Sequence, residues 1–151
     1  MKLLRGMTAP NFQAVDHYGK RFDLYEAVAG RSYVLYFYPK DFTPTCTVEA
    51  CTFRDEFTTF SGADIPIIGI SPDSVETHQR FVAEFQIPFT LIADTDKKVG
   101  ELYGAIMPII RMFHRVTYFI DKNHTIIDVV QNMFGADIHI KTMMANLASV
   151  K

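Results

Sequence analysis

The sequence predicts an α/β fold, with a central mixed sheet flanked by helices and a small β-hairpin added at the N-terminus. Three observations predict it. The runs 33–38 and 65–70 are continuously apolar, the pattern of strands buried on both faces. Segments of helical period lie between the apolar runs. Two further strand-like stretches, 115–120 and 125–130, flank the turn Asp121-Lys122-Asn123-His124 and read as a hairpin.

The elements follow in order. Segments 12–15 and 21–23 flank Tyr18-Gly19 and suggest the N-terminal hairpin. Strand 33–38 comes next. Ala50, Phe53, Phe57 and Phe60 recur at steps of three and four, which predicts a helix running to about Phe60, where Ser61-Gly62 ends it. After strand 65–70, Asp73 and Glu76 form a capping-box pair that opens a helix to about Phe85, stopped by Pro88. A short strand at 89–93, a short helix at 96–103 ended by Gly104, the hairpin, and a final helix at 137–147 complete the chain.

Composition bounds the function. The chain has 151 residues, enough for a single domain (1–151) with its own core. It is 48% hydrophobic and 21% charged, which is ordinary globular composition. A net charge of −2 gives no argument for nucleic acid or an anionic membrane. The N-terminus lacks the apolar core of a signal peptide. The apolar stretch 105–120 is broken by Pro108, Arg111, His114 and Arg115 and does not read as a membrane span. A cytoplasmic protein with two closely spaced cysteines points to redox catalysis or metal binding rather than structural cross-linking.

Those two cysteines, Cys46 and Cys51, carry the most information. Pro44 suits the first position of a helix, and Thr43 then becomes its N-cap, with a hydroxyl able to accept from the amides of Thr45 or Cys46. Cys46 falls in the first turn, where free N–H groups and the helix dipole favour the thiolate, the reactive form. The same residues also fit an ordinary helix start, with Cys46 as a small buried apolar side chain. In an intact helix the two Cα atoms would lie ~8.6 Å apart. A disulfide tolerates about 7 Å at most, so a bond between them requires the first turns to unwind.

The segment Tyr36-Phe37-Tyr38-Pro39-Lys40-Asp41-Phe42-Thr43-Pro44-Thr45-Cys46, with Cys51 beyond, resembles a peroxiredoxin active site with its PxxxTxxC pattern. The second cysteine five residues on is similar to the bacterioferritin comigratory protein / peroxiredoxin Q subfamily. Gly6-Met7-Thr8-Ala9-Pro10-Asn11-Phe12 resembles the family's G-x-x-A-P-x-F. Arg115-Val116-Thr117-Tyr118-Phe119-Ile120-Asp121 resembles the strand that carries its active-site arginine. The element order matches a thioredoxin-like fold with the extra elements of peroxiredoxins.

The resemblance implies roles. Cys46 would attack a peroxide, hydrogen peroxide or an organic hydroperoxide, and become a sulfenic acid. Cys51 would resolve it as an intramolecular disulfide, and thioredoxin or a similar dithiol reductant would recycle the enzyme. Thr43 would hydrogen-bond the sulfur or the peroxide, and Pro39 would shield the sulfenate. Arg115 would favour the thiolate and stabilise charge on the leaving oxygen. Arg111 is its nearby competitor. Glu49, one turn from Cys46, makes sense only when paired with a cation such as Arg115. No metal or other cofactor is called for.

Thr45 replaces the glycine usual in the subfamily and adds bulk near the peroxide approach. Segment 106–113 is unusually apolar, and we expect it either to line the site or to form a contact between copies, in a monomer or weak homodimer. Three other functions compete: a thioredoxin-type oxidoreductase, disfavoured because four residues rather than two separate the cysteines; a zinc module, which would need scattered histidines; and a non-enzymatic redox sensor. The five histidines lack ligand spacing, the seven methionines suit core packing, and Asp94 and Asp96 read as turn and cap residues.

Overall fold

The computed structural model describes residues 3–133 and 135–147. It contains β1 (Gln13–Val15), β2 (Arg21–Asp23), α1 (Leu24–Val28), β3 (Tyr33–Phe37), α2 (Pro44–Asp55), α3 (Phe57–Gly62), β4 (Ile67–Ser71), α4 (Val75–Phe85), β5 (Thr90–Ala93), α5 (Lys98–Leu102), β6 (Val116–Ile120), β7 (Ile126–Gln131) and α6 (Ala136–Ala145). Strands β1 and β2 form a separate antiparallel pair, and the other five form one mixed sheet in the order β5-β4-β3-β6-β7. Strand β3 pairs parallel with β4 and antiparallel with β6. This is the thioredoxin-like arrangement expected from the sequence.

β3, β4 and β6 are buried along their whole length because helices cover both faces. Alternation along the strands splits the core in two. Tyr33, Leu35, Phe37, Val116, Tyr118 and Ile120 face one cluster. Val34, Tyr36, Tyr38 and Phe119 face the other, with Cys46, Ala50 and Phe53 of α2, Phe81 of α4, and Ile140 and Met143 of α6. The Cys46 helix therefore lies on the second face.

Several local expectations are corrected. The helix expected to reach Phe60 is interrupted at Glu56, where φ is −96° and ψ 7°, so Phe57 and Phe60 belong to α3. The N-cap of α4 is Ser74, whose side chain accepts from the Thr77 amide. Asp73 instead accepts from the Asp41 amide at 2.8 Å and the Ser71 hydroxyl at 2.6 Å, a tertiary use that capping spacing does not reveal. Helix α1 was not foreseen; Asp23 caps it by accepting from the Glu26 amide. In the N-terminal hairpin, Gly19 takes φ 78°, and the Asp16 side chain accepts from the amides of Tyr18 and Lys20. Among the described residues, no helix is long and apolar enough to cross a membrane.

Candidate active site

The site forms where the end of β3 meets the start of β6. Phe37 lies opposite Val116 in the antiparallel register, which sets Arg115 beside the chain leaving β3 for α2. Alternation puts Arg115 on the same face as Thr117 and Phe119, the face that α2 covers. On α2, the inward positions at steps of three and four are Cys46, Glu49, Ala50 and Phe53. Sheet register and helix period thus bring together residues 69 apart in sequence.

The Arg115 side chain is 3% exposed, and each of its three guanidinium nitrogens donates a hydrogen bond. Nη2 donates to Cys46 Sγ at 3.0 Å, Nη1 to Glu49 Oε1 at 2.7 Å, and Nε to the Met133 carbonyl at 2.9 Å. Burial opposes the Arg115 charge, but Glu49 and Cys46 leave its pKa above the usual value. Glu49 has no exposure, and burial pushes its carboxyl up to about 7 against the pull of Arg115. Among the described residues, its second oxygen, Oε2, has no hydrogen-bond partner, and neither does the buried Tyr36 hydroxyl.

The remaining expected residues are less directly engaged. Thr43 is the extended N-cap of α2, with φ −80° and ψ 152°, but its hydroxyl makes no cap bond. It donates instead to the Lys40 carbonyl at 2.7 Å and so braces the turn. Pro39 is half-buried in that turn. Cys51 is half-buried on α2, and burial pushes its thiol pKa up. Both thiols are free, and one continuous helix carries them. Arg111, the competing cation, pairs with Glu101 on the surface, while its carbonyl accepts from Lys97 Nζ at 2.8 Å. Asp94 and Asp96 accept from backbone amides around the start of α5, consistent with their turn roles.

Two histidines of consequence escaped sequence reasoning. His139 on α6 has no exposure; its Nδ1 lies 2.8 Å from Thr117 Oγ1 and 3.8 Å from Glu49 Oε2. Nε2 is 2.8 Å from the Asn132 carbonyl, so Nε2 carries the hydrogen and Nδ1 accepts from Thr117 in the neutral ring. Burial lowers the His139 pKa and favours that form. The second is His78, fully buried against Asp41. No short spacing ties either residue to Cys46; only the packing of α6 and α4 on the sheet does.

Segment 106–113 is a turn closed by the Ile106–Phe113 bridge. Phe113 and Ile106 pack with the cluster on the sheet face opposite Cys46. Ile109 is 96% exposed. A recess of about 280 Å³ lies beside the start of α2, lined by Pro44, Thr45, Val48, Ala136 and Asp137.

Similarity to known proteins agrees with this geometry. The AhpC/TSA family profile matches residues 6–129. A chloroplastic peroxiredoxin Q of Sedum lineare is 37% identical over 151 residues, covering 99% of this chain and 81% of that protein. A bcp peroxiredoxin of Coxiella burnetii is 37% identical over 153 residues, covering 97% of this chain and all of that protein. Among solved structures, peroxidoxin BcpB of Mycobacterium tuberculosis superposes with a TM-score of 0.91 at 29% identity, covering 97% of each chain. Xanthomonas campestris peroxiredoxin Q superposes at 0.80 with 27% identity, covering 91% of this chain and 90% of that one. The chain belongs to the AhpC/TSA family, in its peroxiredoxin Q / bacterioferritin comigratory protein branch. It is a thiol-dependent peroxidase, acting on a peroxide at the expense of a thiol reductant.

Proposed function

We propose that Cys46 is the peroxide-attacking thiol and Cys51 the resolving one. The observation that carries this reading is the 3.0 Å contact of Arg115 Nη2 with Cys46 Sγ at a helix start. The Cys46 thiolate attacks the terminal peroxide oxygen; the O–O bond breaks, an S–O bond forms, and the leaving oxygen takes a proton to depart as water or alcohol. Arg115 faces the charge that moves from sulfur to that oxygen, and the Glu49 pairing holds the guanidinium in place. Thr43 braces the turn through its bond to the Lys40 carbonyl and turns its hydroxyl to the peroxide when substrate binds, and Pro39 shields the sulfenate. The first turns of α2 then unwind, Cys51 attacks the sulfenic sulfur, and water leaves as the disulfide forms. Thioredoxin or a similar dithiol protein reduces it by exchange.

The substrates are hydrogen peroxide and organic hydroperoxides. A solved bacterioferritin comigratory protein of Xanthomonas campestris is described by its alkyl peroxide reduction activity. The recess lined by Thr45, Val48 and Ala136 at the start of α2 offers room for an apolar tail. A pair of closely spaced cysteines that cycles between dithiol and disulfide suits a reducing compartment such as the cytoplasm. The test is steady-state turnover of hydrogen peroxide and an alkyl hydroperoxide with thioredoxin, thioredoxin reductase and NADPH. Turnover in wild type, lost in Cys46→Ser, is expected. A single oxidation without turnover would leave a redox sensor instead.

A further inference from the structure

The turn that leads to Cys46 is anchored by a buried network whose hydrogen bonds do not involve the sulfur. Asp41 is 2% exposed, and both its carboxyl oxygens are taken. The Tyr38 hydroxyl donates to Oδ1 at 2.6 Å, and His78 Nδ1 lies 2.5 Å from Oδ2. The Asp41 amide donates to Asp73 Oδ2, which also accepts from Ser71 Oγ. His78 Nε2 is 3.0 Å from the Ile92 carbonyl. A carbonyl only accepts, so Nε2 carries a hydrogen, and the short Nδ1–Oδ2 approach requires a second, shared proton. The ligand atoms of Asp41, Asp73 and His78 lie within 4.8 Å of one another, yet both His78 nitrogens and both Asp41 oxygens are already bonded within the protein. The cluster is a clamp and not an open ion site.

The clamp holds strain. Phe42, the next residue, takes φ 66°, a left-handed conformation that bulky side chains rarely adopt unless their surroundings impose it. Its ring stands edge-on to Phe81 at 5.2 Å and lies 6.1 Å from Phe85. His78 and Phe81 are three residues apart on α4, so one helix face grips the turn at two consecutive residues. Beyond Phe42, only Thr43 separates the clamp from Pro44 and the first turn of α2.

We propose that His78 is a positioning residue for the peroxide-reducing step: through Asp41 it fixes the strained turn from which Thr43 and the Cys46-bearing end of α2 project, and it is the stationary end from which that helix unwinds. The inference rests on the assignment of Cys46 as the attacking thiol. Its consequence is that the two halves of the cycle depend on His78 differently. Peroxide attack needs the turn held; disulfide formation needs the helix beyond it released.

The test follows both steps separately at a temperature where each variant is folded by circular dichroism. Sulfenate formation is read by rapid quench and intact mass in a Cys51→Ser background, and disulfide formation with Cys51 present. His78→Leu removes both ring donors. His78→Gln keeps a donor near the Nε2 position only, and His78→Asn keeps one near Nδ1, facing Asp41. We expect His78→Leu and His78→Gln to slow sulfenate formation about tenfold or more, as misplacement of reacting groups does. We expect His78→Asn to stay within about threefold, and disulfide formation to be unchanged or faster in all three. Sulfenate rates for His78→Leu and His78→Gln that match wild type, with only a lower melting temperature, would reduce the clamp to a fold staple and overturn the proposal. So would a disulfide step slowed as much as the peroxide step. If His78→Leu does not fold, the Gln and Asn pair carries the comparison, and equal rates in that pair overturn it. Failure of the His78-intact protein to form a sulfenate would instead remove the Cys46 assignment itself, and the proposal with it.

Discussion

Arg115 serves two buried partners, and its removal would affect both. Arg115→Ala leaves Glu49, which has no exposure, without its cation. Breaking one side of a buried ion pair costs about 3–5 kcal/mol, and loss of a charge-stabilising group costs about 10²–10³ in rate. Chemical denaturation and peroxide kinetics should therefore both register the substitution, whereas a surface arginine such as Arg111 should move neither. Glu49 itself gives a pH signature. Its carboxyl rises from 4.5 unfolded to about 7 folded, so the native state holds a proton that the unfolded chain has lost in that window. Stability from this group is fully present below 4.5 and declines as pH rises toward 7, by on the order of 2–3 kcal/mol. Urea melts across that range should show this decline in wild type and a flatter profile in Glu49→Gln. Matching slopes would mean that Glu49 is ionised throughout.

The elements show which parts of this protein short-range pattern can reach. β3 and β4 were legible because each is an unbroken apolar run, and the start of α2 because Thr43-Pro44 is a strong N-terminal signal. Asp73 misled because the same side chain can cap a helix or accept across the fold, and tertiary contacts decide which. Arg115 could be placed only by likeness to a family. Its meeting with Cys46 depends on the Phe37–Val116 register, which no local spacing encodes. His139 and His78 were illegible for the same reason: from other elements, His139 packs beside Glu49 and His78 grips the turn before α2. The intact helix from Pro44 to Asp55 bears a prediction of its own. Thr52 back-bonds to the Val48 carbonyl at 2.7 Å, and alanine there is the better helix former by about 0.5 kcal/mol. Thr52→Ala should slow disulfide formation about twofold while leaving sulfenate formation unchanged, because only the former requires unwinding. An unaltered disulfide rate would separate resolution from helix opening.

For the molecule as a whole, the fold joins a buried sheet to one helix end that, in the proposed cycle, unwinds. The exposed turn around Ile109 and Ile110 is anchored in the other core cluster, and we propose it as a contact for a second copy. Sedimentation of the reduced protein should show a concentration-dependent dimer that Ile109→Asp abolishes; a monomer in both would remove that contact. Attack by one thiol and resolution by the other would both be read from the intact mass of the reduced protein after one equivalent of hydrogen peroxide, for wild type and Cys51→Ser. Loss of two hydrogens in wild type together with one added oxygen in the variant is the predicted result. No rapid change in either protein would contradict the account, and an added oxygen in both would move resolution to an outside thiol.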